Sequence, residues 1–491
     1  MNRRVRLVSW VAGLMIFALL GNLTYFAAAR EPTLQAEPAN TRTVYQEFDR
    51  QRGQILAGTT VIADTVPSAV GDERFERQRV YPEGSLYAHI TGFYSFVYGT
   101  RGVENSYDSY LAGSDDAQWM QTLRDLWEGR VPAGANVQTT IDPVLQQVAA
   151  QQLGSSKGAA VVLDPATGAI KALVSTPSYD PNRLAGHDFE AMAAEWAALT
   201  ADPDKSMLNR AAREVYPPGS TAKLITAAAA LAAGYTPETM IDTPSSIQLP
   251  NSNNWLPNAS ACGNGQQSFS FALAMSCNTS FANIGRDLGA EKLRQQAELF
   301  GFNSTHLDDL GDAASRYLTS LNDQGELVVE YPDDAQVMMA AMGQWDVAAS
   351  PLQMAMVVAA IVNDGVRQEP YVVSQVTAAS DQQLLYQHVA QPTQAMTVEH
   401  AQTLRQMMTG VVQWGTGTAA ALPGVVMGGK TGTAEWQAGQ APYSWYVAYA
   451  LDPAVVVAVF IESADVAATD MASGALVGPM VRQIIAATRP G

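Results

Sequence analysis

Ser220 and Lys223 stand three residues apart, between a Pro-Pro-Gly turn and an alanine-rich run. The alanine run predicts a helix, so we expect Ser220 at a helix N-terminus with Lys223 on the same face. Backbone N–H groups there would stabilise an oxyanion, and Lys223 would act as a base if burial or a cation lowered its pKa. An N-cap serine beside a solvated lysine is the alternative that the pair alone leaves open.

A second motif consists of Ser276 and Asn278, which flank Cys277 between two helical patterns, residues 269–275 and 279–288. Serine and asparagine favour turns, so an ordinary helix–helix connection is the alternative interpretation.

A third motif, Lys430-Thr431-Gly432-Thr433, lies in an extended stretch that begins at Val425. A glycine-rich strand end is the simpler interpretation. Glycine would also let a ligand backbone lie against the strand, and the lysine would offer a positive charge to a carboxylate. The chain has only six lysines against 23 arginines, and two of the six fall in these motifs. Together, the motifs predict a serine acyl-transfer site.

The elements that must position these motifs form an α/β pattern. Residues 159–163 and 170–174 predict a hairpin, because two apolar runs flank an Asp-Pro-Ala-Thr-Gly turn. Long helical patterns follow. Three strands near residues 425–427, 444–450 and 455–461 precede a final helix, and we expect one sandwich over residues 156–491. The final helix is predicted near residues 476–487.

The N-terminus predicts a membrane anchor. Three arginines precede residues 7–29, which carry no charge and are long enough to cross a bilayer as a helix. The positive side should stay in the cytoplasm, so the rest of the chain is expected outside the plasma membrane after a single span. A cleaved signal peptide ending at Ala27-Ala28-Ala29 is the alternative.

Composition and cysteine content narrow the class further. The chain has 491 residues and a net charge of −18, which makes nucleic acid a poor partner. Cys262 and Cys277 are disulfide candidates in an oxidising compartment, and a bond would contribute about 3 kcal/mol, whereas two inert buried thiols are the alternative. The five histidines are scattered, so no metal site is predicted.

The three motifs, in this order, make up the set of penicillin-binding proteins and β-lactamases. The chain resembles class B penicillin-binding proteins over nearly its whole length, and its layout is most similar to the A-type proteins of actinobacteria. It departs from many relatives at Trp345, where they have glycine, which puts the loop geometry there in doubt. The residues that carry the resemblance outside the motifs are 52–57, 102–108, 111–113, 139–146 and 160–165.

The resemblance implies a fold and a domain division. The fold would be α/β, with a penicillin-binding/β-lactamase-like transpeptidase domain in which helices flank an antiparallel sheet. Residues 1–30 would form the cytoplasmic tip and transmembrane helix, residues 31–155 a small mixed non-catalytic, pedestal-like domain, and residues 156–491 the transpeptidase domain.

The resemblance also implies a peptidoglycan D,D-transpeptidase that needs no cofactor or metal and is acylated by β-lactams. Ser220 would attack a stem peptide, and Lys223 would take the proton of the Ser220 hydroxyl. Ser276 would relay a proton to the leaving amine, and Asn278 would hold Lys223. The terminal carboxylate of the stem peptide would bind to the third motif. That substrate-binding motif is Lys430, Thr431, Gly432 and Thr433. A membrane glycosyltransferase of the SEDS family would be the partner.

Three alternatives remain. A class A β-lactamase needs a deacylating glutamate, and Asp312 stands near the matching distance from Ser276. A D,D-carboxypeptidase would use water as the acceptor. A non-catalytic β-lactam sensor or division scaffold would keep the fold without the reaction, and the intact motifs argue against it.

Overall fold

The computed structural model describes residues 3–25, 48–69, 75–115, 118, 124, 127–129, 133–434, 440–467, 469, 471 and 474–489. The first helix, α1, spans Arg3–Tyr25. Its segment Arg6–Tyr25 has a mean hydropathy of 1.9, and within the described part of the chain it alone is long and apolar enough to cross a membrane. The last four residues of the predicted anchor, 26–29, lie outside the described residues.

The remaining elements form a mixed α/β protein, which confirms the predicted fold class. The strands are β1 Ile55–Ala57, β2 Thr60–Pro67, β3 Arg77–Val80, β4 Tyr94–Ser95, β5 Gly99–Thr100, β6 Asn136–Thr139, β7 Lys157–Leu163, β8 Ile170–Thr176, β9 Met240–Thr243, β10 Ser246–Gln248, β11 Trp255–Pro257, β12 Gly265–Ser268, β13 Thr319–Leu321, β14 Leu327–Val329, β15 Val366–Gln368, β16 Val373–Thr377, β17 Leu384–Gln387, β18 Pro392–Gln394, β19 Met427–Ala434, β20 Tyr443–Leu451 and β21 Ala454–Ser463.

The helices after α1 are α2 Ala88–Thr91, α3 Val103–Ser106, α4 Asp108–Ala112, α5 Pro143–Leu153, α6 Asn182–Ala185, α7 Phe189–Ala201, α8 Lys223–Ala232, α9 Phe269–Ala274, α10 Asn278–Leu299, α11 Asp334–Ala340, α12 Pro351–Val362, α13 Val398–Gln413 and α14 Val477–Ala487. The predicted hairpin and C-terminal helix are therefore present as β7, β8 and α14. The strand that carries Lys430 begins at Met427 rather than at Val425, because residues 422–425 form a turn first.

A five-stranded antiparallel sheet of order β19-β20-β21-β7-β8 supports the catalytic half. The sequences of β7 and β21 are nearly continuous apolar runs, because both faces of the sheet are covered. Val161 and Phe460 pack into the core that contains α12, whereas Val162 and Val459 pack into the core that contains α14. The side-chain alternation of a strand thus divides the interior into two cores.

A second sheet, of order β17-β16-β6-β1-β2-β3, lies in the N-terminal half. Strands β16 and β17 come from residues 373–387, so the chain returns across the predicted boundary at residue 155 to complete this sheet. The buried Asp309 carboxylate joins the two parts, because it accepts from Tyr107 Oη at 2.6 Å and from the backbone N–H of Val373 at 2.9 Å. The predicted division at residue 155 stays a prediction.

Candidate active site

Ser220 lies in a 3-10 turn, Gly219–Ala222, that leads directly into α8. Ser220 thus lies at the N-terminus of a helix, as predicted, although its own turn is 3-10 and the α-helix begins at Lys223. Short 3-10 turns are frequent at helix N-termini. Helix α8 is buried from Lys223 to Leu231, so the Lys223 ammonium lies inside the protein rather than in solvent.

The side chains of Lys223 and Lys430 converge on Ser276. Lys223 Nζ donates to the Ser276 carbonyl oxygen at 2.7 Å and to Asn278 Oδ1 at 2.8 Å, and it lies 3.3 Å from Ser276 Oγ. Lys430 Nζ donates to Ser276 Oγ at 2.8 Å and to the Thr431 carbonyl oxygen at 3.0 Å. The Ser276 hydroxyl therefore bridges the two lysines, although the three residues come from distant parts of the sequence.

Burial controls the charge of both lysines. Each is 0% exposed, and no carboxylate forms an ion pair with either one within the described residues. Desolvation, together with the positive charge of Lys430, holds the pKa of Lys223 well below its usual range. Desolvation lowers the pKa of Lys430 to about 7. Both shifts favour the neutral amine, and the sequence alone did not establish the burial that causes them.

Ser276 has a left-handed backbone conformation, with φ of 60°. It follows the last turn of α9, where the N–H of Ser276 bonds to the Leu273 carbonyl and the N–H of Cys277 to the Ala272 carbonyl. This is a Schellman ending, which normally places glycine at the left-handed position. A serine there is unfavourable by about 1–2 kcal/mol, so the fold tolerates strain to present this hydroxyl.

The loop before α9 fixes Asn278 from the other side. Cys262 and Cys277 form a disulfide bond, so the candidate pair is joined in the structure. The Asn258 side chain accepts from the backbone N–H of Asn278 at 2.8 Å, and Asn278 Nδ2 donates to the Pro257 carbonyl at 3.3 Å. These contacts anchor the first turn of α10, whose N-cap side chain makes no capping bond.

Strand β19 forms the wall opposite α9. It is an edge strand of the five-stranded sheet, and the 3-10 turn of Ser220 packs against it. A Cβ at Gly432 would lie 2.8 Å from Thr221 Cγ2 and 2.9 Å from the Pro218 carbonyl oxygen. Gly432 is therefore needed for the close approach of the serine turn. The predicted role of Gly432 in leaving room for a ligand backbone stays a prediction.

A cavity of about 590 Å³ opens between these walls. Six of the predicted residues line it, whereas Lys223 and Lys430 lie behind its wall. The six are Ser220, Ser276, Asn278, Thr431, Gly432 and Thr433. Within the described residues the Ser220 hydroxyl makes no hydrogen bond, and such contacts often tighten only when substrate is bound.

Sequence reasoning missed several residues of the cavity wall. Leu256, Met339, Met342, Gln344 and Thr416 line it together with the motif residues. Leu256 lies in β11, Met339 lies near the end of α11, and the other three lie in loops. None of the five belongs to a motif. Gln344 alone had a signal, because it precedes Trp345, the position where many relatives have glycine. Trp345 adopts a φ of 62°, the left-handed conformation that glycine would favour.

A serine facing a cavity, with two buried lysines behind it, defines an active-site serine enzyme of the acyl-transfer class. Residues 158–486 match the penicillin binding protein transpeptidase domain, and residues 52–137 match the penicillin binding protein A dimerisation domain. The chain belongs to the penicillin-binding protein transpeptidase family.

Its relatives include actinobacterial proteins of similar length. It is 39% identical over 502 residues to the peptidoglycan D,D-transpeptidase PbpA of Mycolicibacterium smegmatis, with 99% of each chain covered. The ceftriaxone acyl-enzyme of penicillin-binding protein A from Mycobacterium tuberculosis matches with a TM-score of 0.83 and 37% identity, over 91% of this chain and 100% of that one. The penicillin G acyl-enzyme of the same protein matches with a TM-score of 0.80 and 39% identity, over 89% and 99%.

We predict that Ser276→Gly and Ser276→Ala differ in stability but not in activity. Glycine relieves the left-handed strain and alanine keeps it, so Ser276→Gly should be more stable by about 1 kcal/mol. Both lack the hydroxyl and should lose at least about 10²-fold in penicillin acylation rate, as expected for a proton-transfer group. Thermal unfolding and second-order acylation kinetics check this. An alanine variant as stable as the glycine variant would show that the left-handed backbone at residue 276 is not strained.

Proposed function

We propose that this protein is a peptidoglycan D,D-transpeptidase, which cross-links stem peptides through an acyl-enzyme on Ser220. The observation that carries the proposal is the Ser276 hydroxyl, which lies between Lys223 Nζ and Lys430 Nζ in the cavity that Ser220 lines. This arrangement provides a nucleophile, a base whose pKa is lowered and a proton relay in one place. The names of the full-length mycobacterial relatives support the same activity.

Acylation begins with Ser220. Lys223, as a neutral amine, takes the hydroxyl proton while Ser220 Oγ attacks the carbonyl carbon of the penultimate D-alanine. The backbone N–H groups of Ser220 and Thr433 stabilise the negative oxygen of the tetrahedral intermediate. The C–N bond then breaks, Ser276 passes a proton to the leaving amine, and D-alanine departs. The amine of a second stem peptide attacks the ester and restores Ser220.

Substrate orientation depends on the other motif residues. The terminal carboxylate faces the positive charge of Lys430 and the hydroxyls of Thr431 and Thr433, both of which line the cavity. Asn278, which accepts a hydrogen bond from Lys223, keeps the base in place and offers its amide to the substrate. β-Lactams present the same carboxylate and a strained amide, so we propose that they acylate Ser220 as they acylate the mycobacterial relative.

Rapid hydrolysis of the acyl-enzyme, as in a β-lactamase, finds no support at this site. None of the described residues that line the cavity is an aspartate or a glutamate. Asp312, the candidate acid, instead accepts from the backbone N–H groups of His306 and Leu307, both at 3.1 Å. Among the described residues no carboxylate is therefore placed to activate a deacylating water, so we propose that the acyl group waits for an amine.

We also propose that α1 anchors the enzyme in the plasma membrane by a single span, with the catalytic domain outside the cytoplasm. The apolar segment Arg6–Tyr25 and the arginines before it support this orientation. N-terminal sequencing of membrane-extracted protein tests the anchor. A mature chain that starts near Arg30 would show cleavage and contradict it.

A membrane glycosyltransferase of the SEDS family is the partner that we propose, by analogy with class B relatives. Helix α1 and the N-terminal half of the ectodomain would form the contact surface. Co-purification tests this, because exchange of α1 for an unrelated membrane helix should weaken recovery of the partner. Recovery that is unaffected by the exchange, and also by loss of residues 31–155, would contradict the proposal.

The acyl-enzyme is tested with a labelled penicillin on wild type and Ser220→Ala. We predict a burst of covalent label with slow release in the wild type and no label in the variant, which lacks only one oxygen. Mass spectrometry of the labelled peptide identifies the residue. A label on Ser276 or Ser280 would contradict the assignment of Ser220.

Lys223→Arg and Lys430→Arg should differ sharply. Arginine keeps its proton at any working pH, so Lys223→Arg should lose about 10²–10⁴-fold in acylation rate, the usual contribution of a general base. Lys430 needs a positive charge and a hydrogen bond to Ser276, so Lys430→Arg should keep measurable acylation. Second-order rate constants with one penicillin decide this, and similar residual rates would mean that Lys223 is not the base.

A further inference from the structure

A short loop, Gly415-Thr416-Gly417, connects the two walls of the cavity. The backbone N–H of Thr416 donates to the Ala274 carbonyl at 3.1 Å, at the end of α9, two residues before Ser276. The Thr416 hydroxyl lies 2.8 Å from the Thr431 hydroxyl on β19. Thr416 also lines the cavity. One residue therefore contacts the helix that ends before Ser276 and the strand that carries Lys430.

The packing of the loop leaves room for only one side chain. A Cβ at Gly415 would lie 2.3 Å from the Ala274 carbonyl oxygen, and a Cβ at Gly417 would lie 2.4 Å from Tyr446 Oη. Both distances are too short for any other residue. Tyr446 Oη also donates to the Gly417 carbonyl at 2.7 Å, which fixes the loop against the sheet. Thr416 is thus held rigidly beside Thr431.

The hydroxyl pair has two protons to distribute. At 2.8 Å one hydroxyl donates to the other, which uses one of the two protons. If Thr431 donates to Thr416, Thr431 has no proton left for a ligand. If Thr416 donates to Thr431, the Thr431 proton stays available, and the Thr431 oxygen already has its acceptor role filled. An anion beside Thr431 favours the second arrangement.

We propose that Thr416 is a positioning residue for the substrate carboxylate. It donates to Thr431 Oγ1 and so directs the Thr431 proton toward the carboxylate of the stem peptide or of a β-lactam. This inference rests on the proposed function, because it concerns the carboxylate subsite of the same cavity. The inference assigns a role to a residue outside the three motifs. Thr431 by itself cannot fix which of the two hydroxyls is the donor in their hydrogen bond.

The test compares two ligands that differ only in the carboxylate. Penicillin G carries the free acid and its methyl ester does not. Thr416→Val removes the hydroxyl and keeps the shape, and it should lower the acylation rate with penicillin G by about tenfold, the value of one hydrogen bond to a charged group. With the ester the rate should change by less than about twofold. Thr416→Ser should restore the rate with penicillin G.

Two controls separate this role from a structural one. Thr418 is exposed directly after this loop, at the start of the 3-10 turn Thr418–Ala420, so Thr418→Val should leave both rates unchanged. The double variant Thr416→Val with Thr431→Val should be no slower than Thr431→Val alone, because Thr416 acts through Thr431. Equal losses with the acid and the ester, or a double variant with additive losses, would overturn the inference.

The wild type distinguishes failure of the inference from failure of the proposed function. If penicillin G does not acylate the wild-type protein at Ser220, the proposed function is wrong. If it does, and Thr416→Val behaves like the wild type with penicillin G, only the role of Thr416 is wrong.

Discussion

Two lysines are buried beside one serine hydroxyl, and no carboxylate in the described part of the chain forms an ion pair with either one. This constraint governs the rest of the site. The Nζ atoms of Lys223 and Lys430 lie 3.3 and 2.8 Å from Ser276 Oγ, hence at most about 6 Å from each other. Two positive charges at that distance repel by about 3 kcal/mol at an effective dielectric constant of 20. Desolvation adds to this cost, so the free enzyme is driven to give up a proton. Burial and the charge of Lys430 both lower the pKa of Lys223, so Lys223 is the lysine that we propose as the base.

The surrounding structure must hold Lys223 and Lys430 close together despite their mutual repulsion and the free-energy cost of desolvating them. Helix α8 keeps Lys223 inside the protein, and the edge strand β19 presents Lys430 from the opposite side. The strained conformation of Ser276 and the disulfide bond of Cys277 fix the group between them. Strain concentrated at one such residue is common at functional sites, and here it is tolerated because packing on three sides determines the geometry.

Much of the site was predictable from sequence because its motifs are local. Ser220 and Lys223 share one helical turn, and residues 159–163 and 170–174 form a hairpin around a turn that the sequence specifies. The rest depends on contacts between distant segments. Strand β16 joins β6 although about 235 residues separate them, and Thr416 meets Thr431 only because two glycines allow a close approach. No local pattern encodes such pairings.

The central claim is that burial, together with the positive charge of Lys430, lowers the pKa of Lys223 and makes it the base. The pH dependence of acylation by penicillin G methyl ester, in wild type and in Lys430→Met, tests it most directly, because the ester does not need Lys430 for carboxylate binding. The rate should rise with pH as Lys223 loses its proton. Without the neighbouring positive charge the pKa of Lys223 should rise. The midpoint of the increase in rate with pH should therefore move to higher pH in Lys430→Met. A midpoint that stays in place or moves to lower pH would contradict the account.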